Sequence, residues 1–404
     1  MNKDDEAPPV TRTLETAETL SDIGEGAWSA LLGTSKKPGR AYNPFVSYAF
    51  LSALEDSGSA EAETGWIGSH ILVKDQDGTI DAALPAYLKM HSYGEYVFDH
   101  AWVDAYERAG GRYYPKLQSS IPFTPASAPK LLVSASADHD AMRTLLARGT
   151  QAVVEKLELS SAHITFVDEG EAEALEEHGF LRRHDQQFHW NNNSYESFDA
   201  FTQELASRKR KQIRKERREA LETGIEIEWV TGSDLTEAHW DAFFVFYQDT
   251  GARKWGQPYL TRQFFSLIGE RMADDVLLIM AKRDGNYIAG ALNFIGSDAL
   301  YGRNWGCSEH HPFLHFEVCY YQAIDYAIAH GLARVEAGAQ GSHKLARGYT
   351  PAITTSMHYI PNPSFRQAVA DYLVGEREQV MFDTQYLEQR TPFRKSGGQT
   401  TDYE

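Results

Sequence analysis

The chain has 404 residues, of which 42% are hydrophobic and 24% charged, and a formal net charge of −18. That length provides for two to three domains with cores of their own. The charge excludes a broadly basic nucleic-acid face and any general attraction to anionic membranes.

Two cysteines, Cys307 and Cys319, give no disulfide framework and point to a reducing compartment. The first twenty residues lack a basic stretch followed by an apolar one, and no run approaches the roughly 18 apolar residues of a membrane helix. The expectation is a cytoplasmic chain without a membrane span.

Residues 1–25 and 391–404 are polar and read as disordered tails. Asn43-Pro44 predicts a helix from Phe45 to about Gly58, with a cap followed by proline. Trp66–Val73 and Thr79–Leu88 read as strands joined by the turn DQDG. Residues 98–109 and 137–158 read as helices, His163–Val167 as a strand, 170–178 as a short helix and Phe180–Trp190 as a strand. These form an N-terminal half, 26–192. A basic helical connector, 193–223, follows.

The C-terminal half, 224–390, repeats the order. It predicts a strand at Ile225–Val230, helices at 235–250 and 261–273, and strands at Val276–Ala281, Tyr287–Phe294 and Ala299–Trp305. A long helix then runs from about Pro312 to His330, followed by strands at Ala333–Ala337 and Ala352–Ile360. A last helix starts at Pro363, capped by Asn362. Both halves close with a strand, a short connection, a Gly-aromatic pair (Gly179-Phe180, Gly348-Tyr349) and a strand, which reads as a degenerate internal duplication.

This order resembles the GNAT acyltransferase fold, in which the central strands splay apart around the acyl donor. The segments HSYGEYVFDHAW, AYERAGGRYYPKL, SRKRKQIRKERR, DTGARKWGQPYLTRQFF, NWGCSEHHPFLHFEVCYYQAI and GAQGSHKLARGY together resemble the FemAB-like family of bacterial N-acyltransferases, associated with peptidoglycan biosynthesis or recognition. The resemblance covers roughly residues 43–388. It implies an α/β fold made of a tandem pair of GNAT-like domains, with mixed, mostly antiparallel sheets flanked by helices. It also implies acyl or aminoacyl transfer to a small-molecule or peptide amine. Acetyl-CoA-dependent GNAT enzymes carry a Q/R-x-x-G-x-G/A loop before the long helix; here that stretch is GCSEHHPFLHFE. Acyl-CoA remains the expected co-substrate, with no tightly bound cofactor. Aminoacyl-tRNA, the donor of Fem-type enzymes, is the alternative donor, and a non-catalytic recognition module is the alternative to an enzyme.

Residues 208–218 hold eight basic side chains and one acid. Arg210 and Arg214 are thus candidates for donor phosphates, against the alternative of a solvated helix. Six of the 21 tyrosines fall in residues 87–114. There His91, Tyr93, Glu95 and Tyr96 are candidate acceptor contacts, because tyrosine combines apolar area with a polar tip. In the second half, Arg253, Lys254 and Trp255 are further acceptor candidates. Amine acylation needs a base for the ammonium proton and a donor for the carbonyl oxygen. Glu309, His315 and Glu317 are the candidate bases, beside Asn304 as a donor contact. Tyr349 fits a general acid on the leaving group, and His343, Lys344 and Arg347 fit donor binding. His315 and Cys319 share a helix face and read as a packed pair rather than a metal site. No metal is expected.

Overall fold

The computed structural model describes residues 11–32, 42–254, 258–338 and 341–394, with backbone only for Ala252, Arg253, Lys254 and Ser342. Its elements begin with β1 (Thr13–Ala17), α1 (Leu20–Ile23), α2 (Glu25–Leu32), α3 (Tyr48–Asp56), β2 (Trp66–Gly68), β3 (His70–Lys74), β4 (Ile80–Leu84) and β5 (Tyr87–Lys89). There follow α4 (His100–Arg108), β6 (Lys116–Ser119), β7 (Leu132–Val133), α5 (His139–Lys156), β8 (Ala162–Val167), α6 (Glu169–Glu177) and β9 (Leu181–Asn191). Next come α7 (Phe198–Glu204), α8 (Ser207–Leu221), β10 (Glu226–Thr231), α9 (Glu237–Lys254), α10 (Arg262–Arg271), β11 (Val276–Arg283), β12 (Asn286–Ile295) and β13 (Ala299–Cys307). The chain finishes with α11 (Leu314–Phe316), α12 (Gln322–Ala329), β14 (Arg334–Glu336), β15 (Thr350–Tyr359) and α13 (Pro363–Glu388).

Two compact units result. The first comprises Met1–His184 and Thr354–Arg377, the second Asp185–Ile353 and Glu378–Glu404. Each is completed by a strand from the far part of the chain. In unit 1 the C-terminal part of β15 pairs antiparallel with β8. In unit 2 the second part of β9 pairs antiparallel with β14. Helices α7 and α8 belong to unit 2, where Ile213, Glu216 and Ala220 turn the inner side of α8 into the core.

Unit 1 holds a four-stranded sheet, β1-β3-β4-β7, and the run β2-β5-β6-β8-β15. The expected strands Trp66–Val73 and Thr79–Leu88 are each divided between these two sheets. The break falls at Ser69, whose N–H donates to Ala86 O at 2.8 Å, and at Pro85, which has no ladder donor. At Gly68 a Cβ would lie 1.8 Å from Glu18 O, so only glycine lets the backbones pass. The expected N-terminal tail is corrected as well: Thr13–Ala17 is the edge strand beside β3. Main-chain pairing, the Lys74–Glu15 ion pair and Arg12 on Asp81 hold it, so its polar side chains gave no sign of a strand. Helix α3 starts at Tyr48 rather than Phe45, because Ser47 Oγ caps Phe50 N at 3.1 Å. The main core lies beneath α5 and includes Ile71, Leu84, Met142, Leu146 and Ile164.

Unit 2 holds the run β10-β11-β12-β13-β14-β9. Its core includes Trp190, Phe201, Leu277, Ile279, Val318, Tyr321 and Ile324. Among the described pairings only β6·β8 and β13·β14 are parallel. Each unit thus has one parallel pair joined through a helix, α5 in the first and α11–α12 in the second, as a duplicated α/β plan requires.

Candidate active site

In unit 2, β13 and β14 are paired only at Ala299, Leu300 and Tyr301, against Arg334, Val335 and Glu336. Beyond Tyr301, β13 runs on to Cys307 without a pairing to β14. On its other edge, against β12, β13 carries a bulge. Leu292 faces Asn304 and Asn293 faces Gly302, which leaves Arg303 as the extra residue. A bulge bends its strand and re-aims the following side chains, here Asn304 and Trp305.

The connecting helix enters through Phe313, whose φ of 62° is left-handed. This explains why the helix starts at Leu314 and not at Pro312. Its first turn passes into a π turn at Glu317–Tyr321 before α12. Such a turn inserts extra backbone and frequently marks a functional position. Here it places Glu317, Val318, Tyr320 and Tyr321 inward together.

The turn gathers an aromatic and titratable cluster. His315 lies 5.2 Å from Trp305, 5.4 Å from Tyr320 and 6.2 Å from His343, ring centre to ring centre. Tyr320 Oη is hydrogen-bonded to His343 Nε2 at 2.9 Å, and its ring packs at 5.6 Å on Tyr349. His343 is exposed, His315, Phe316 and Trp305 are half-buried, and Tyr320 and Tyr349 are buried, so the cluster runs from solvent to core. Gly341, at φ 111°, leaves room for the His343 ring, which would meet a Cβ at 2.4 Å. Tyr349 Oη is buried and has no hydrogen-bond partner among the described residues. Burial, with Tyr320, Cys319 and Tyr321 adding to it, pushes the Tyr349 hydroxyl well above its ordinary range. It therefore stays a proton donor.

Lys344 and Arg347 hold the loop around the cluster. Lys344 Nζ donates to Ala337 O at 2.5 Å and Gly338 O at 2.8 Å, and burial lowers its ammonium to about 8. The Arg347 guanidinium stacks on Phe316 at 3.4 Å and donates to His343 O at 2.7 Å and to Glu216 at 3.0 Å. Glu216 also accepts from Tyr321 Oη, and from Gln212 at 2.9 Å. The neighbouring Arg217 holds Glu317 through two hydrogen bonds, at 3.1 and 2.9 Å, and reaches Asp325 at 2.6 Å.

The structure thus brings His315, His343, Lys344, Arg347 and Tyr349 together. Glu317 is fully buried beneath Arg217 and Gln322, its carboxyl raised by burial against the pull of Arg217. Glu309 stands apart, bound to Arg283 and His311 at 2.8 Å each; the hydrogen bond from His311 holds it below its ordinary value, a poor setting for a base. Asn304 is half-buried next to the bulge. On α8, Arg214 lies on the outer face, paired with Asp199 at 3.1 Å, and Arg210 is half-buried. Arg253 and Lys254 end α9, but their side chains and all of Trp255 lie outside the described residues. Sequence reasoning missed Phe316, Tyr320 and Glu216. The last had a signal: it is the single acid in the basic run 208–218.

The acceptor candidates of unit 1 have other surroundings. Glu95 is buried, with Oε2 2.7 Å from Lys116 Nζ. His91 bonds Thr64 O at 3.0 Å, Tyr93 is 63% exposed, and Tyr96 has a left-handed φ of 60°. Among the described residues no group of three or more His, Cys, Asp or Glu could hold a metal, and no helix is long and apolar enough to cross a membrane.

The architecture is that of the tandem GNAT-like α/β proteins. It is similar to FemX, with 13% identity, a TM-score of 0.52, and coverage of 86% of this chain and 98% of that one. It is also similar to the C-terminal domain of a putative lysylphosphatidylglycerol synthetase from Agrobacterium fabrum (9%, 0.51, 89% and 96%). A third likeness is to a conserved protein of unknown function from Bacteroides thetaiotaomicron (10%, 0.50, 86% and 99%). No curated protein matches the chain. The chain belongs to the FemAB-like family, described as peptidoglycan biosynthesis/recognition, which it matches over residues 19–395.

Proposed function

We propose that the protein is an N-acyltransferase that moves an acyl or aminoacyl group from an activated donor to an amine, and that unit 2 carries the reaction. The observation that supports this most directly is the cluster of His315, Tyr320, His343 and Tyr349, gathered by the helix and loop that adjoin β13 and β14. The amine nitrogen attacks the donor carbonyl carbon, and the bond from that carbon to the carrier sulfur or oxygen breaks. His315 or His343 takes the proton lost by the amine, and Tyr349 Oη protonates the leaving group. No acyl group resides on the enzyme, so none is trapped on Cys307 or Cys319. The family description and the expected reducing compartment favour a cytoplasmic enzyme acting on the amine of a cell-wall component.

Acyl-CoA is the working donor. Aminoacyl-tRNA is the second reading, favoured by the exposed Arg208, Lys211, Arg214, Lys215 and Arg218 along α8. At the helix start, Leu314 N and Phe316 N are already bonded to His311 O and Phe313 O, which limits the backbone amides left for a pyrophosphate. The deciding experiment follows melting temperature and product formation with CoA thioesters, free CoA, and charged and uncharged tRNA. A ligand at about 100 times its Kd adds about 2.7 kcal/mol. Stabilisation and turnover with a CoA thioester establish the first reading, and with charged tRNA alone the second. A folded sample that responds to neither refutes both and favours a recognition module.

A further inference from the structure

Unit 1 contains a buried polar layer with no part in the proposed reaction. Strand register places Tyr87 and Lys89 of β5 opposite Gln118 and Lys116 of β6, Gln118 beside His163 of β8, and His163 opposite His358 of β15. Alternation along each strand puts these six side chains on one sheet face. All are 2% exposed or less. Loop residues Glu95 and Asp99, each 2% exposed, close onto this face. Lys116 Nζ binds Glu95 Oε2 at 2.7 Å, Asp99 Oδ2 at 2.5 Å and Ser92 Oγ at 2.9 Å. Tyr113 donates to Asp99 Oδ2 at 2.7 Å. Lys89 Nζ lies 3.5 Å over the Trp66 ring and donates to Tyr93 O at 3.2 Å.

The layer is under-satisfied. Glu95 Oε1, Asp99 Oδ1 and both ends of the Gln118 amide are buried without a hydrogen-bond partner among the described residues. Each such atom costs about 1–3 kcal/mol unless something outside the chain meets it. An apolar layer of the same volume would avoid that cost, so stability does not account for the arrangement. The two carboxylates share Lys116, which puts their free oxygens in one neighbourhood. Burial lowers Lys89 and raises Glu95, each to about 7, so near neutrality Asp99 and Lys116 are the settled charges of the layer and these two are partly charged. The two orphaned carboxylate oxygens call for a donor, and a cationic donor would also hold Glu95 in its carboxylate form.

We propose that this layer is a ligand site distinct from the acyl-transfer site, taking a small polar molecule whose primary ammonium group is held by Glu95 Oε1 and Asp99 Oδ1, with Gln118 meeting a neighbouring oxygen. Both carboxylates stand on the loop 90–99 and not on the sheet, so the loop is the part that moves aside for entry.

The test titrates the full chain, without any acyl donor, with ethanolamine and in parallel with ethylene glycol, which lacks the ammonium. Binding is read by ligand-observed NMR at pH 7.5. Saturable binding of ethanolamine only is expected, weakened about tenfold or more by Glu95→Gln, which keeps the side-chain volume. Tyr349→Phe in unit 2 retains this binding whether or not it transfers acyl groups, so failure of one reading is distinguishable from failure of the other. Equal binding of both probes overturns the proposal. So does no binding to the folded wild-type chain, unchanged binding by a folded Glu95→Gln, or a crystal structure soaked in ethanolamine whose layer holds ordered water alone.

Discussion

Replacing Glu216 by alanine tests whether the buried acid of the basic helix organises the site. Its carboxylate accepts from Arg347 at 3.0 Å, Gln212 at 2.9 Å and Tyr321 Oη, with the Glu216 and Arg347 side chains only 5% and 6% exposed. Removing one partner of a buried pair strands the other, at a cost of about 3–5 kcal/mol. For a unit of this size that lowers the melting temperature by roughly 6–20 °C. Arg214→Ala on the same helix removes only an exposed pair with Asp199 and costs under about 1 kcal/mol. Calorimetry on Glu216→Ala, Arg347→Met and the double variant gives the coupling. The double variant, with neither charge stranded, is expected to be more stable than the sum of the singles by about 2 kcal/mol. A loss below about 1 kcal/mol for Glu216→Ala, or strict additivity, refutes the reasoning.

Tyr349→Phe removes a hydroxyl with no partner, so melting temperature holds or rises slightly while turnover falls about 100-fold, as for loss of a general acid; equal activity removes Tyr349 from the mechanism. Gly341→Ala forces a side chain onto a φ of 111° and against the His343 ring, and steady-state kinetics are expected to show a larger loss in kcat than in thermal stability. His189 is lowered from 6.5 to about 4, first by burial and then by Arg334 and Lys344. The unfolded chain therefore binds the extra proton, and this stability is full above pH 6.5 and lost as pH falls toward 4. Between pH 6.5 and 5 that amounts to about 2 kcal/mol in denaturant titrations, and His189→Gln should flatten that part of the profile.

The sequence carried the fold where polarity tracked exposure. Val276–Ala281 and Tyr287–Phe294 read as strands from their apolar runs and lie within the observed Val276–Arg283 and Asn286–Ile295, and Asn362 caps the last helix, accepting from Phe365 N at 2.9 Å. The reading failed where that link breaks. Lys116–Ser119 is a strand whose lysine and glutamine are fully buried, so no alternation with solvent announces it. Thr13–Ala17 is held by its ladder and not by burial. In the site, the glycine-bounded loop 338–349 was legible because glycine states where backbone must turn, and it led to His343, Lys344, Arg347 and Tyr349. Tyr320 and Phe316 were not legible, since a π turn shifts which residues of a helix face inward and no periodic pattern encodes it. The basic run was legible in part, with Arg208, Lys211, Arg214, Lys215 and Arg218 exposed. Its charge suggested an outward-facing patch, yet Glu216 and Arg217 point inward and fix Arg347, Tyr321 and Glu317. A buried polar network is specified by partners far apart in sequence: 131 residues separate Glu216 from Arg347 and 100 separate Arg217 from Glu317. Local pattern cannot pair them, and the sites where local pattern fails are those where this chain has placed its buried chemistry.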